Sequence, residues 1–437
     1  MSTTDPRRSS VAEAAATPPV EEGLTLHLDS DRRLIRAAGL SRRYLQISLR
    51  APHATQERAP VDLALVLDRS GSMGGNKWPQ ARAAALQALE RLNAQDRVAL
   101  VVFDDQVDTL LPLAPVLPMT RQMAQQALAG IAPRGNTDLA GGWLTGCGLI
   151  GRGDNATRLR RCFLLTDGEA NVGITAPAEL SQHASTLRQL GVITSTFGLG
   201  DHYHEELLGL LADAGGGAFH DIAQAASIPA IIGRELGDAL AVVCADTQVR
   251  LSWQAPLQVA VLGPWRSDEA GQALTLYLGD LVSEQVLDLL VAIDFPPGTL
   301  NSDCALQVAV SDGAHPLAAA SYRWTWVDSQ TRRSQPRQAE VVRRVGDYWA
   351  QQARQDATML NREDDLKGAR ATLRAAAARI QAYGGDDPAL INQATLLRAE
   401  VETFRDKLDV RELKERFYAS NNALRGRQAD GTRSKGA

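Results

Sequence analysis

The sequence predicts an α/β protein. A doubly wound, mainly parallel sheet is inserted in, or flanked by, an antiparallel β-sandwich, and a helical region follows. Three observations carry this. Continuous apolar runs alternate with helical segments from Val61 to Val242. Short strands rich in β-branched and aromatic residues lie on both sides of that block. Beyond Pro336, apolar residues fall on helical stripes.

The 437 residues are too many for one core and enough for two or three domains. Residues 1–23, rich in Ser, Ala, Pro and Glu, read as a disordered tail. From 24 to 60, "LTLHLDS" and "YLQISLR" alternate as half-buried strands do, and a polar connector follows. From 61 to 242 the pattern changes. "VDLALVLD", "RVALVVFDD", "RCFLLTDG" and "VITSTFGLG" are apolar runs of the kind a parallel sheet buries on both faces. Helical segments separate them; Thr120 is a predicted N-cap, and Gly191 closes another helix. From 243 to 330, short strands divided by Gly, Pro, Asp and Ser predict a sandwich. Because these resemble the early strands, Leu24–Leu49 is expected to join Thr247–Asp328, with the α/β unit inserted between. From 337 to 424 four stripes predict helices, one of them made by Leu390, Leu397, Val401, Phe404 and Leu408. Residues 425–437 are basic and are expected to be disordered.

Composition excludes several function classes. The formal net charge is −5, so no whole-molecule field attracts nucleic acid or acidic membranes. No window approaches the ~18 uninterrupted apolar residues of a membrane span. The start lacks an apolar h-region, so no secretory signal is visible and a cytoplasmic location is expected. Cys147, Cys162, Cys244 and Cys304 lie far apart, which predicts unlinked thiols.

The chemistry concentrates in "LALVLDRSGSMGG", Leu63 to Gly75. Ligands in an open α/β sheet sit beyond the carboxyl ends of the strands. Asp68 stands at such an end, and Ser70 and Ser72 follow at alternate positions in a glycine-rich loop. "RGNTDLAGG" offers Thr137 and Asp138 before a helix. "LLTDGEAN" ends a buried strand at Asp167. Three strand-end loops thus deliver hard oxygen donors to one edge. Few carboxylates with several hydroxyls suit a small hard dication, Mg2+ or Mn2+, with Ca2+ a further candidate. A lysine ammonium plugging this pocket would end the reading.

These motifs resemble the von Willebrand factor type A family. "DRSGSM", "GNTD" and "LLTDGEAN" look like the three parts of its metal-ion-dependent adhesion site, and the resemblance covers Val61 to Leu240. It implies a Rossmann-like fold, with Ser70, Ser72 and Thr137 as metal-ligating hydroxyls and Asp68 and Asp167 holding the ion directly or through water. The whole chain also looks like bacterial proteins in which this domain sits within a β region and precedes a helical tail. The implied function is non-enzymatic, cation-dependent protein binding, in which an Asp or Glu of the partner completes the coordination. In integrin-type relatives occupancy couples to a shift of the last helix, here "ASIPAIIGRELGDAL". The alternative is an adaptor subunit for a MoxR-type or chelatase-like AAA+ ATPase.

Other candidates weigh less. "GDHYHEEL" (His202, His204, Glu205, Glu206) reads as a solvated loop with acids at a helix N-terminus. Glu169 reads equally as a rim residue shaping partner choice or as simply exposed, and Trp78 reads as a core residue rather than a rim aromatic. Arg69 points away from the ion, and Trp324 and Trp326 fill the sandwich. Neither a P-loop, a G-x-S-x-G elbow nor H-E-x-x-H is present.

Overall fold

The computed structural model describes residues 23–54, 58–151, 158–313 and 315–436. The expected N-terminal tail lies, up to residue 22, outside them. The chain begins with β1 (Thr25–Ser30), β2 (Leu34–Arg36) and β3 (Ser41–Arg50). The α/β unit follows: β4 (Val61–Asp68), α1 (Lys77–Arg91), β5 (Arg97–Phe103), β6 (Val107–Pro115), α2 (Pro118–Ala129) and α3 (Leu139–Gly151). It continues through β7 (Leu159–Thr166), α4 (Pro177–Gln189), β8 (Val192–Leu199), α5 (Glu205–Ala214), β9 (Gly216–Ile222) and α6 (Ile228–Leu240).

The strands of this unit lie in the order β6-β5-β4-β7-β8-β9. All pairs are parallel except β5 with β6. From β4 the chain first builds outward on one side, then returns to build β7 on the other. The switch point therefore lies between β4 and β7, where an open sheet leaves a crevice beyond the strand ends. Helices bury both faces. On one side Leu63, Leu65 and Leu67 of β4 meet Ala81, Ala85 and Leu89 of α1; on the other Ala64 and Val66 meet Trp143 and Cys147 of α3.

Helix α3 approaches β4 closely because Gly146 faces it: a Cβ there would meet Val66 Cγ2 at 2.3 Å. Gly146→Val should cost about 1–3 kcal/mol through overpacking. A fall in the urea midpoint checks this; an unchanged midpoint would show that the helix is free to recede.

The sandwich follows as β10 (Val242–Trp253), β11 (Gln258–Leu262), β12 (Arg266–Glu269), β13 (Ala273–Val282), β14 (Val286–Phe295), β15 (Asp303–Ser311) and β16 (Pro316–Val327). Its sheets are β1-β3-β14-β11 and β12-β13-β10-β15-β16-β2. Strand β3 pairs with β14 from Ser41↔Phe295 to Arg50↔Val286, and β2 runs parallel to β16. The α/β unit is thus inserted in the chain of the sandwich. Leu45, Ile47 and Leu49 face Leu251, Leu306, Val308 and Trp324 across the core.

Then come α7 (Ser329–Ser334), α8 (Ala339–Arg362), α9 (Leu366–Gly384), α10 (Pro388–Glu400) and α11 (Val410–Leu424). Helices α8 and α9 cover the outer face of β3 and β14, where Tyr44, Leu290 and Ala292 are buried. The Tyr44 ring packs edge-on to Trp349 at 5.8 Å and to Tyr383 at 5.6 Å.

Three local expectations are corrected. Helix α2 begins at Pro118 with Leu117 as its cap residue, and the Thr120 hydroxyl donates to the Pro115 carbonyl at 2.7 Å. The third C-terminal stripe is not one helix: α10 stops at Glu400, and Phe404 sits in a short turn of 3-10 type. The C-terminal segment is not a free tail. Val286 N–H donates to the Ser434 carbonyl at 2.9 Å, Gly436 N–H donates to the Glu284 carbonyl at 3.0 Å, and Arg433 donates to the Asp280 carbonyl at 2.7 Å. Its charges find carbonyls and carboxylates at the seam between the two lobes, a compensation that composition does not reveal.

Candidate functional site

Asp68 is the last residue of β4, and Asp167 follows the last residue of β7, so the two flank the switch point. Both are fully buried. The Ser70 N–H donates to Asp68 Oδ1 at 2.6 Å, folding the loop back on its own strand end. The Ser70 and Ser72 hydroxyls lie 3.0 Å apart, and Ser72 Oγ donates to Asp167 Oδ1 at 2.6 Å. The third loop is laced in through its backbone. Gly71 N–H donates to the Gly135 carbonyl at 3.2 Å, and Asn171 N–H donates to the Thr137 carbonyl at 3.2 Å. Thr137 N–H donates to Asn171 Oδ1 at 2.9 Å.

Three oxygen-bearing groups share one small space beside Gly168. A Cβ on Gly168 would lie 3.2 Å from Thr137 Oγ1, 3.7 Å from Ser72 Oγ and 4.0 Å from Asp68 Oδ2. Ser70 adjoins this group through Ser72. Ser70 and Thr137 are buried and Ser72 is exposed, so the cradle opens to solvent on the Ser72 side. Burial pushes the Asp68 carboxyl up to about 6, against the pull of hydrogen bonds from Thr166 and Ser70; neighbouring Asp167 adds to the rise.

Sequence reasoning missed three residues here. Thr166 Oγ1 donates to Asp68 Oδ2 at 2.5 Å. Asn171 ties the second and third loops together. Lys77 Nζ bonds to Asp167 Oδ2 and lies 3.3 Å from the Ser72 carbonyl oxygen. Thr166 and Asn171 stand inside the motif runs, and their polarity at a strand end was the available signal. Lys77 is a full helical turn from the motif, and no spacing rule points to it. Its ammonium takes Asp167 Oδ2, while Ser72 takes Oδ1, and it makes no hydrogen bond to Asp68, Ser70 or Thr137 among the described residues. The side chain is 28% exposed, so it sits at the solvent edge of the cradle rather than at its centre.

The flanking residues have other work. Asp138 caps α3, accepting from Gly141 N–H at 2.9 Å. Arg69 turns to the opposite side, where Nε donates to Asp104 at 3.0 Å and Nη2 to Asp108 at 2.6 Å. Trp78 lies in the core under α1, and Trp324 and Trp326 in the sandwich. The four cysteines are free and buried. Among the described residues no group of three or more His, Cys, Asp or Glu is placed to hold a metal. The cradle instead combines two carboxylates with hydroxyls. No described helix is long and apolar enough to cross a membrane.

The loop Asp201–Glu206 is exposed at Asp201, His202, His204 and Glu206 and sets Glu205 and Glu206 in the first turn of α5, as expected, but α11 packs on its Tyr203 and Glu205. Lys414 Nζ donates to the Tyr203 carbonyl and to Glu205, each at 2.6 Å, and Arg362 bonds to both Glu205 and Glu206. Arg411 pairs with Asp221, the Tyr418 ring meets Phe219 at 5.7 Å, and His204 Nδ1 accepts from Leu207 N–H. Exposed Glu169, beside the cradle, lines an open cleft of about 560 Å³ whose far wall carries Arg362, Lys407 and Lys414. The helical region therefore forms one side of the surface around the cradle.

Residues 62–234 match the family profile of the von Willebrand factor type A domain. The chain carries a von Willebrand factor type A (VWA) domain. A solved structure titled von Willebrand factor type A, from Catenulispora acidiphila, superposes with a TM-score of 0.72 at 18% identity, over 91% of this chain and 96% of that one. The ArnB paralog VWA2 from Sulfolobus acidocaldarius gives 0.57 at 16% identity, over 87% and 98%. At these identities the likeness concerns the fold. Among curated proteins, Synechocystis sll0103, an uncharacterized protein, is 29% identical over 199 residues, 43% of this chain and 44% of the relative. Escherichia coli YfbK, also uncharacterized, is 25% identical over 215 residues, 48% and 37%. Human inter-alpha-trypsin inhibitor heavy chain H3 is 29% identical over 130 residues, 28% and 15%. The match thus spans less than half the length of each of these relatives. The VWA domain occupies the doubly wound unit, and the cradle lies within it.

Proposed function

We propose that this chain is a non-enzymatic, divalent-cation-dependent protein-binding module. Asp68, Ser70, Ser72, Thr137 and Asp167 would hold Mg2+, with Mn2+ or Ca2+ as substitutes. The observation that supports this is the gathering of Thr137, Ser72 and Asp68 oxygens around the space that Gly168 leaves open. The donor set fits the group: uncharged hydroxyls with only two carboxylates suit a hard dication and no more than balance its charge. A bound ion would supply a Lewis-acidic site for a partner's Asp or Glu. VWA domains are typically interaction modules, which accords with this use.

The chain's own residues do the rest. Thr166 and the Ser70 N–H orient Asp68. Ser72 orients Asp167, whose other oxygen Lys77 partly neutralises. The Lys77 ammonium competes with a cation for Asp167 Oδ2 and so tempers the affinity of the cradle. The Ser72 hydroxyl is spent on Asp167, whose other oxygen Lys77 holds, and no histidine is among its hydrogen-bond partners, which favours a binding role for these groups. A cytoplasmic location accords with the four unlinked thiols.

Titration calorimetry with Mg2+ tests the ligand set. Thr137→Ala should weaken Mg2+ binding at least tenfold and abolish Mg2+-dependent, EDTA-sensitive capture of partners from lysate. Equal Mg2+ affinity in variant and wild type would refute the assignment. The adaptor reading uses the same carboxylate contact, and an AAA+ ATPase among the captured proteins would select it.

A further inference from the structure

A cavity of about 340 Å³ opens where α4, α5 and β9 of the VWA domain meet β12, β13 and the segment after α11. Five arginines line it, Arg188, Arg266, Arg425, Arg427 and Arg433, against two aspartates, Asp213 and Asp280, a surplus of three positive charges. Both aspartates are already engaged: Asp213 pairs with Arg425 at 2.5 Å, and Asp280 with Arg161, which does not line the cavity.

Arg427 is the least compensated of the five. Its guanidinium makes no hydrogen bond or close ion pair among the described residues. The carboxylate that acts on it, Glu235, is already bonded to Ser195 and His220. Burial pulls the Arg427 guanidinium down to about 10, and Arg433 and Arg425 repel it further. The Nε atoms of Arg425 and Arg433 are also buried without a hydrogen-bond partner, although Asp238 lies 3.4 Å from the second. Arg425, Arg427 and Arg433 are half-buried, and guanidinium groups crowded in this way are costly unless an anion joins them.

We propose that this seam binds a small phosphorylated solute. With Arg188 paired to Asp246 at 3.5 Å, Arg433 to Asp238 at 3.4 Å and Arg425 to Asp213, Arg266 and Arg427 are left without a close carboxylate among the described residues, and a phosphoryl group, at about −1.5 to −2, matches those two charges where a monoanion does not. Arginine forks match phosphate oxygens in paired hydrogen bonds, and the Ser181 and Ser185 hydroxyls line the same wall. The volume exceeds one phosphate and falls in the range of small-molecule sites. The ligand would join the VWA domain, the sandwich and the C-terminal segment.

The test is titration of the full chain with pyrophosphate in EDTA, which keeps the divalent-cation cradle out of the measurement. Inorganic phosphate and ADP serve as further arms, with citrate at equal ionic strength as control. Pyrophosphate should bind at one site per chain and raise the melting temperature more than citrate does. Arg427→Met and the exposed Arg266→Ala should each raise the dissociation constant at least tenfold, and Arg266→Ala should leave the melting temperature of the free protein unchanged. Absence of pyrophosphate binding, an equal response to citrate, or wild-type affinity in both variants would overturn the proposal.

Discussion

Asp68→Asn should abolish the proposed Mg2+ binding and stabilise the metal-free protein at neutral pH. The first effect follows from removing the charge of the deepest carboxylate in the cradle. The second follows from burial. With the Asp68 carboxyl raised to about 6 from 3.8, its ionised form is the penalised one. The favourable contribution of the protonated group is present below about 3.8, declines as the pH rises through about 6, and is gone at pH 7.5. A difference of about two units corresponds to about 3 kcal/mol at most, which an isosteric neutral side chain escapes. Urea unfolding in EDTA at pH 4.5 and 7.5 checks this. Wild type should lose stability relative to the variant across that interval, and saturating Mg2+ should restore wild type alone. Parallel pH profiles for the two proteins, or the same Mg2+ isotherm, would sink the prediction.

Lys414→Ala destabilises the junction of α11 with the VWA domain by about 3–5 kcal/mol, the cost of breaking a buried pair from one side. The Lys414 side chain is 3% exposed and Glu205 12%. Its ammonium also lies 3.9 Å from the centroid of the Tyr203 ring. Burial alone would raise the Glu205 carboxyl, but the Lys414 hydrogen bond and the charges of Lys414 and Arg362 outweigh it and hold it below its ordinary value. That contribution is present above about 4.5 and is lost as the pH falls through the depressed folded value. The variant should therefore unfold at lower urea at pH 7 and show less of the acid-induced loss than wild type. Hydrogen exchange should accelerate at Tyr203–Glu206, next to the cleft beside Glu169. Unchanged exchange there would mean that α11 does not hold the loop.

The doubly wound unit was legible because its strands are buried on both faces, so apolar runs such as "LALVL" leave no ambiguity of period. The cradle was legible because strand ends, glycines and hydroxyls fall together in sequence within each loop. The insertion was legible from composition alone, since the early strands match the later ones. What failed failed locally. The Thr120 hydroxyl is of the kind that caps a helix, but Pro118 already fixes the start of α2. The stripe through Leu408 kept helical spacing across a turn that packs Phe404 into the same core.

By itself the sequence determined which residues carry oxygen donors and which strand ends present them, because both depend on neighbours a few positions apart. Tertiary structure decided the rest. It set Lys77 on Asp167, placed α8 over the outer face of Tyr44 and Leu290, closed the Asp201–Glu206 loop with Lys414 and Arg362, and drew five arginines into one seam. Each of these joins groups far apart along the chain, and charges or apolar faces of that kind find one another only when the whole core has formed.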